Sequence, residues 1–493
     1  MNQRPNIVFI MSDDHAAQAI SAYGHGINST PNIDRLANEG MRFDHCYVTN
    51  SICAPSRATI LTGMHNHLNG VFGLHEHIDN RQPNVAKYLK QGGYQTAIIG
   101  KWHLGEGPGH CPTGFDFWSV VPGQGDYYDP TFIEASGEQK DEGYVTDIIT
   151  DKCLGWLDER DADKPFFLMC HHKAPHRSWH PKAEHRSLYT DPIRVPDTFD
   201  DDYKNRAAAA MNAQMRVSHD MNYKDLDIEP HEGKGPRDLI PFPEDVTGFE
   251  LTCSVTGEVF TFASQDELKR FKYQRYMQKY LQCVHSIDEN VGRLLDYLDE
   301  QGLAENTLVV YTSDQGFFLG EHGWFDKRFI YEESFRMPFL VRYPEGICAG
   351  TICTDMASNV DFAETFLDYA GLPIPRHMQG RSLRPLLEEQ TPDDWTEIAY
   401  QRYWMHRDDA HNAYAHYGIR THDHKLIYWY NEGMGVQGTQ PGGETPEWEL
   451  FDLEKDPLEL FNVYHDPAYA DVVKDMTRRL DVHMLEIGDV PAH

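Results

Sequence analysis

Four stretches with the apolar character of buried strands each run out into ionisable residues. "NIVFIM" (6–11) is followed by Ser12, Asp13 and Asp14, and "YQTAIIG" (94–100) by Lys101, Trp102 and His103. "PFFLMCHH" (165–172) continues into "KAPH", ending in His176. "TLVVYTS" (307–313) is followed by Asp314 and Gln315, and then by "GEHGWFDK", ending in Lys327. The types sort into two groups. Asp13, Asp14, Asp314 and Gln315 offer the hard oxygen donors that calcium or magnesium takes. An Asp-Asp pair after one strand is ordinarily a turn or a helix cap, but a further acid and amide at another strand end describe a shared cation site. Arg57, Lys101, His103, His176 and Lys327 form a basic set able to hold a tetrahedral oxyanion through charge-assisted hydrogen bonds. Each alone reads as a solvated charge; together the groups describe a cation and a basic clamp around a sulfate or phosphate ester. A fifth stretch, "SICAPSRATILTG" (51–63), sets Cys53 beside Ala54-Pro55, four residues before Arg57, where a helix starts. A thiol there is either a buried apolar filler or a nucleophile.

The elements that must carry these residues alternate between strand-length apolar runs and helix-period segments. "STPNIDRLANEG" reads as a capped helix with Pro31 in its first turn, and "NVAKYLKQGG" as a helix ended by glycine. A long helical pattern spans "RFKYQRYMQKYLQCVHSIDENVGRLLDYLDEQG", and "MPFLVRYP" and "NVDFAETFLDYAG" add a strand and a helix. This alternation predicts an α/β fold with a large, mostly parallel sheet sandwiched by helices. In such a sheet, ligands bind beyond the carboxyl ends of the strands, where the polar residues cluster. Residues 1–385 are expected to form this domain, with a turn-rich surface insertion at about 227–265 that contains the hairpin "GFELTCSVTGEVFTF". Residues 386–493 change character: "AYQRYWMHR", "AHYGIRTHDHKLIYWY" and "WELFDLEKDP" predict an antiparallel sheet in a smaller α+β subdomain, closed by a helix near 468–487.

Composition narrows the partners. The 493 residues carry 44 basic against 77 acidic side chains, a formal net charge of −33, with 40% hydrophobic and 12% aromatic content. A core-forming chain this acidic is not expected to bind nucleic acid or an anionic membrane. Nine cysteines form no paired framework and no CxxC motif, which favours reduced thiols over disulfides or structural zinc. The histidine-rich stretches "MHNHLNG", "LHEH" and "RTHDHK" read as chance pairs among 27 histidines. No run of about 18 apolar residues predicts a membrane span. "MNQRPNIVFIMSDD" lacks the apolar length and cleavage site of a signal peptide. The sequence as it stands therefore reads as cytoplasmic, or as periplasmic or secreted if a leader has been removed.

"CAPSRATILTG" resembles the signature of the formylglycine-dependent sulfatases, Cys-x-Pro-Ser-Arg followed by Thr62-Gly63. The resemblance extends in order through "PNIVFIMSDD", "GKWHLG", "KAPH", "TSDQGFFLGEHG" and "WELFDLEKDPLE", covering nearly the whole chain. It implies a fold of the alkaline phosphatase superfamily and a reaction on sulfate esters. By the same resemblance, a maturation enzyme oxidises Cys53 to formylglycine, whose gem-diol supplies the nucleophilic oxygen. Asp13, Asp14, Asp314 and Gln315, with residue 53, are implied to hold one calcium ion. Arg57 is implied to stabilise the formylglycine, Lys101 and Lys327 to bind sulfate oxygens, His176 to protonate the leaving alcohol, and His103 to act as the base that frees sulfate. Gln315 stands where many members have asparagine; its longer amide still offers a carbonyl oxygen.

The segments "MSDDHAAQAISAYG" and "HKAPHRSW" resemble those of bacterial glycan sulfatases and imply an exo-acting hydrolase of a sulfated carbohydrate. Trp179, His180, Trp404, His406, His416 and Arg420 are the corresponding substrate-contact expectations, against the alternative that they pack between the two parts of the chain. Two other functions compete: hydrolysis of phosphonate or phosphate diesters, and a catalytically silent sulfated-glycan-binding protein. The second predicts loss of the nucleophile or a ligand, and every one of those positions is present.

Overall fold

A computed structural model describes residues 4–493. Its centre is a ten-stranded sheet. In chain order the strands are β1 (Asn6–Ser12), β2 (Met41–Phe43), β3 (Gln95–Lys101), β4 (Phe117–Val121), β5 (Thr131–Glu134) and β6 (Gly137–Lys140). They continue with β7 (Phe166–His171), β8 (Thr307–Ser313), β9 (Phe339–Arg342) and β10 (Thr351–Cys353). The order across the sheet is β10-β2-β9-β8-β1-β7-β3-β4-β5-β6. Strands β8, β1, β7, β3 and β4 run parallel, β9 and β5 run antiparallel to them on either side, and β6 pairs antiparallel with β5.

Strand β1 shows why the centre is parallel and doubly covered. Ile7, Phe9 and Met11 enter one core and Val8 and Ile10 the other, all fully buried, as the two-residue period of a strand requires. The first face is covered by helices α1 (Cys53–Thr62) and α4 (Phe362–Tyr369), which supply Ala54, Ala58, Phe362 and Phe366. The second is covered by α2 (Val145–Glu159) and the 36-residue α3 (Gln265–Glu300). The α3 stripe Tyr276, Tyr280, Val284, Ile287, Val291 and Leu295 is buried, at the three- and four-residue spacing of one helix face.

The helix in "STPNIDRLANEG" runs Ile33–Asn38, so Pro31 precedes it rather than occupying its first turn. Its leading amides, on Asn32 and Ile33, donate instead to the Asp288 carboxylate of α3 at 3.0 and 2.8 Å. The cap comes from a residue 256 positions away.

A separate antiparallel sheet follows, β11 (Ala399–Tyr403), β12 (His416–Arg420), β13 (His424–Trp429) and β14 (Glu447–Asp452). One face packs Tyr417, Ile419, Leu426 and Leu450 against Met476, Leu480 and Met484 of α5 (Ala470–Ile487). Tyr403, Ile427, Trp429 and Phe451 join the core of the large sheet. The hairpin Glu250–Thr252 and Val259–Thr261 forms within the turn-rich segment. All nine cysteines are free thiols. Among the described residues, no helix is long and apolar enough to cross a membrane.

Candidate active site

Helix α1 starts at the carboxyl end of the sheet, with Cys53 as its first residue. Ile52 ahead of it is extended and offers no side-chain cap, and Pro55 falls in the first turn, where a missing N–H costs nothing. The helix is buried along its length, so its leading amides point into the site rather than into water and favour negative charge there. The Cys53 thiol donates to Asp13 Oδ1 at 3.4 Å and accepts from Lys327 Nζ at 3.2 Å. Burial pushes this thiol up to about 12, against the pull of Lys327. At neutral pH the sulfur is therefore a thiol and a poor nucleophile in its own right.

Arg57, one turn on, fastens the helix to two strand ends. Its Nε donates to Asp314 Oδ2 at 3.0 Å and its Nη1 to the Lys101 carbonyl at 2.9 Å, while Nη2 lies 3.8 Å from Asp13. The hydroxyl of Ser56 donates to the Asp314 carbonyl and accepts from Asn359 at 3.0 Å. At the end of β3, Gly100 has φ +106°, and a Cβ there would lie 1.9 Å from the His171 carbonyl. Only glycine fits this close approach, which presents Lys101 at the tip of the strand.

The four oxygen donors predicted from the sequence converge. Carboxylate oxygens of Asp13, Asp14 and Asp314 lie within 4.8 Å of one another. Gln315 Nε2 donates to Asp14 Oδ1 at 2.5 Å, whereas its own Oε1, like Asp14 Oδ2, is buried and accepts no hydrogen bond. Buried acceptors left unpaired among three carboxylates are costly, and a hard cation is the group that suits them. Lys101 pairs with Asp13 and Lys327 with Asp14. Burial raises Asp14 to about 6, with Lys327 opposing the rise. Burial also acts to raise Asp314, but the charges of Arg57, Lys327 and Lys101 overcome it and hold this carboxyl below its usual range.

One prediction follows from the sign of the Asp14 shift. Because its value in the folded protein lies above the ordinary carboxylate value, Asp14 retains a proton up to about pH 6 and competes with a cation below that pH. If the acids hold calcium, the ion at about 100 times its Kd would stabilise the fold by about 2.7 kcal/mol. The melting temperature should therefore rise by a few degrees at pH 8 and by clearly less at pH 5. Equal shifts at both values, or a shift with zinc alone, would contradict the oxygen-ligand assignment.

The two histidines take different positions. His176 Nδ1 donates to the Arg177 carbonyl, which leaves Nε2 directed into the site, 3.8 Å from Asp14 Oδ2. His103 lines a cavity of about 540 Å³ together with Trp102, His77 and His110. Burial holds both well below the ordinary imidazole value, and the neighbouring cations, Lys101 foremost, act in the same direction. Both are neutral imidazoles until an anion arrives to balance those charges.

The structure brings Cys53, Arg57, Lys101, His176 and Lys327 around the acids, with His103 beside them, and sets most of the substrate-contact expectations in packed surroundings. Trp179 is completely buried, packed on Tyr276 at a ring-centroid distance of 4.7 Å. His416 is also enclosed; its Nε2 accepts from the Ile330 amide at 3.1 Å and so anchors the loop that carries Lys327. Buried Arg420 is paired with Glu332 at 3.2 Å, and buried His406 with Glu444 at 2.9 Å. The ring of Trp404 is capped by the Arg402 guanidinium at 3.8 Å, leaving it 8% exposed. Trp179 lies under α3, while Trp404, His406, His416 and Arg420 fill the region where the C-terminal sheet meets the rest of the chain, each with a partner of its own. His180 alone of the group remains half-buried and lines a cavity.

Sequence reasoning missed a charge network on both sides of Lys327. Arg328 pairs with Asp326 and lies 3.7 Å from Asp408, and His411 sits between Asp408 at 2.9 Å and Asp326 at 3.2 Å. Arg177 pairs with Asp225 and approaches Asp326 at 3.8 Å. The signal available was the alternation Asp326-Lys327-Arg328 inside an otherwise aromatic stretch. Backbone strain marks the same place: Asp14, His103, Asp326 and Arg328 have φ of 68°, 55°, 77° and 98°. Non-glycine residues held there require support from their surroundings and gather at functional sites.

Comparison with known proteins agrees with this geometry. The family described as Sulfatase matches residues 5–372, and the family described as N-sulphoglucosamine sulphohydrolase, C-terminal, matches residues 320–485. The N-acetylglucosamine-6-O-sulfatase of Bacteroides thetaiotaomicron is 44% identical over 97% of this chain and 86% of that protein. A protein solved in complex with its substrate D-glucosamine-2-N,6-O-disulfate superposes with a TM-score of 0.87 at 42% identity, covering 99% of this chain and 98% of that one. The phosphonate monoester hydrolase of Agrobacterium radiobacter, at 22% identity and a TM-score of 0.71 over 98% of this chain and 96% of its own, shares the fold. A buried cysteine opening a helix, three acids at two strand ends and a full-length likeness to sulfatases lead to one assignment: the chain belongs to the sulfatase family and is a sulfuric ester hydrolase.

Proposed function

We propose that the protein removes the 6-O-sulfate from a glucosamine residue at the exposed end of a sulfated glycan. In this reading Cys53 is first converted to formylglycine by a maturation enzyme, and one calcium ion is held by Asp13, Asp14, Asp314, Gln315 and residue 53. One observation carries it: the thiol opening α1 is kept neutral by burial yet faces Asp13 and Lys327. A site arranged this way needs residue 53 in a form other than the thiol. The sugar preference is supported by the 44% identity to an N-acetylglucosamine-6-O-sulfatase across nearly the whole chain.

Formylglycine, once formed, supplies a hydrated carbonyl oxygen for attack on sulfur, and calcium supplies Lewis-acid polarisation of a sulfate oxygen. The chain's own side chains do the rest. Lys101 and Lys327, buried and already paired with acids, bind the sulfate oxygens as those pairs loosen. Arg57, braced on Asp314 and the Lys101 carbonyl, orients residue 53. The proton for the departing sugar oxygen sits on His176 Nε2, since Nδ1 is engaged by the Arg177 carbonyl. Bringing the sulfate ester monoanion among these cations raises the depressed histidine and lets it hold that proton. His103 then accepts the proton whose removal frees sulfate.

The test is sulfate release from a panel of N-acetylglucosamine 3-, 4- and 6-sulfates and galactose 6-sulfate, with hydrolysis of a phosphonate monoester measured alongside. Release confined to, or at least about tenfold faster on, the glucosamine 6-sulfate is expected, the size of one discriminating polar contact. Preference for another sulfate position or for the phosphonate would overturn the assignment.

A further inference from the structure

Beside the reacting centre lies a second cavity of about 510 Å³ whose walls are basic. Lys173, Arg177, His180, Lys224 and Arg237 line it, against a single acid, Asp126. Lys173 is only 4% exposed, yet among the described residues its ammonium makes no ion pair and no hydrogen bond, touching only the face of Tyr127 at 4.6 Å. Lys224 and Arg237 are exposed and likewise have no acidic partner within 4 Å among the described residues. Arg177 is the exception, being held by Asp225. In a chain with a net charge of −33, three cations without an acidic partner around one cavity are unusual, and the Lys173 ammonium, on an otherwise buried side chain that lines the cavity, has its three donors open to a ligand there.

The cavity is linked to the catalytic centre through two of its lining residues. Gln124 lines it and accepts from Lys101 Nζ at 2.5 Å. Arg177 follows His176 directly and supplies the carbonyl that fixes the His176 ring. A substrate whose sulfate ester lies on Lys101 thus sits next to Gln124 in the wall that also carries Lys173.

We infer that this cavity is a second oxyanion subsite, which receives a sulfate or carboxylate of the same glycan next to the ester being cleaved, with Lys173 as its specificity-determining residue. The inference rests on the proposed action on a glucosamine 6-sulfate. It extends that reading from a singly charged sugar to one carrying two anionic groups. Burial lowers Lys173 to about 8, so an arriving anion would also restore its full charge. The N-sulfate present in the disulfated substrate of the similar solved complex is one anion of suitable chemistry; a carboxylate on an adjoining uronic acid is the other.

Three 6-sulfated substrates separate the sources: N-acetylglucosamine 6-sulfate with no second anion, glucosamine 2-N,6-O-disulfate, and N-acetylglucosamine 6-sulfate linked to a uronic acid. The matured wild type should favour at least one doubly charged substrate by about tenfold or more in kcat/KM, the gain of one charge-assisted contact, and the favoured one identifies the anion. Lys173→Met should lose that preference while hydrolysing N-acetylglucosamine 6-sulfate normally, and Lys173→Arg should retain most of it. The double variant Lys224→Gln/Arg237→Gln, at exposed positions that do not risk folding, should lose part of it. Calorimetry with glucosamine 2-N-sulfate and with the unsulfated uronic-acid disaccharide, neither bearing a 6-sulfate, should show tighter binding to wild type than to Lys173→Met. No preference in wild type, an equal loss on all three substrates in Lys173→Met, or identical binding of both ligands to the two proteins would overturn the subsite. If wild type releases sulfate from none of the three, the glucosamine 6-sulfate reading has failed instead, and the calorimetry alone decides the subsite.

Discussion

Cys53→Ala abolishes sulfate release, with an expected loss of roughly 10⁴-fold or more, the order that removal of a catalytic nucleophile costs. The size follows from the lack of a substitute. No other side chain with a nucleophilic atom stands where Cys53 stands, between Asp13 and Lys327, and water has no comparable positioning. The fold should survive. Alanine is a better helix former than cysteine at the head of α1, and the site is braced by Arg57 and Ser56 through Asp314 rather than by the thiol. Circular dichroism and melting temperature should therefore stay close to wild type while activity disappears. An active Cys53→Ala protein would place the chemistry elsewhere.

His176→Ala should distinguish between leaving groups. An alkoxide leaving from an unactivated sugar has a conjugate acid far above neutral pH and departs slowly without a proton, and a positioned general acid contributes about 10²–10⁴-fold. A nitrophenolate needs little such help. The variant is thus expected to lose about 10²–10⁴-fold on a glucosamine 6-sulfate and far less on a nitrophenyl sulfate. Substitution of Arg57, Lys101 or His103, which serve the sulfate and residue 53, should impair both substrates alike. Rates for the sugar substrate should fall as pH rises, because His176 must be protonated and burial beside Lys101 and Lys327 holds its value low. Equal losses on the two substrates for His176→Ala would remove it from the acid role and direct attention to Lys327.

The cluster of ionisable residues at the carboxyl end of the sheet was legible in the sequence because the fold makes it so. In a parallel sheet covered on both faces, strands are apolar throughout, and polar residues that interrupt the pattern at the carboxyl ends stand out, as Asp13, Lys101 and Asp314 do. Helix α3 and the C-terminal strands announced themselves by period in the same way. Residues whose roles depend on contacts across the chain were not legible. Trp179 and His416 have the composition of sugar-binding residues, but the large aromatic side chains of α3 enclose the first and the Lys327 loop claims the second. The start of the helix at Ile33 depends on Asp288, and the setting of Lys327 on Asp408 and His411; no local pattern records either pairing. Lys173 showed nothing in sequence beyond a lysine near a histidine. Its isolation exists only once the cavity around it has formed.

The most direct test of the account is the mass of residue 53 in enzyme that is demonstrably active. Trypsin releases the peptide from Phe43 to Arg57, and fragmentation separates Cys53 from Cys46 within it. In active protein the account predicts a peptide lighter by about 18 Da, the difference between CH2SH and CHO, with the change localised to position 53, and specific activity should rise in proportion to the lighter fraction. Full activity in preparations whose residue 53 is entirely unmodified cysteine would contradict it.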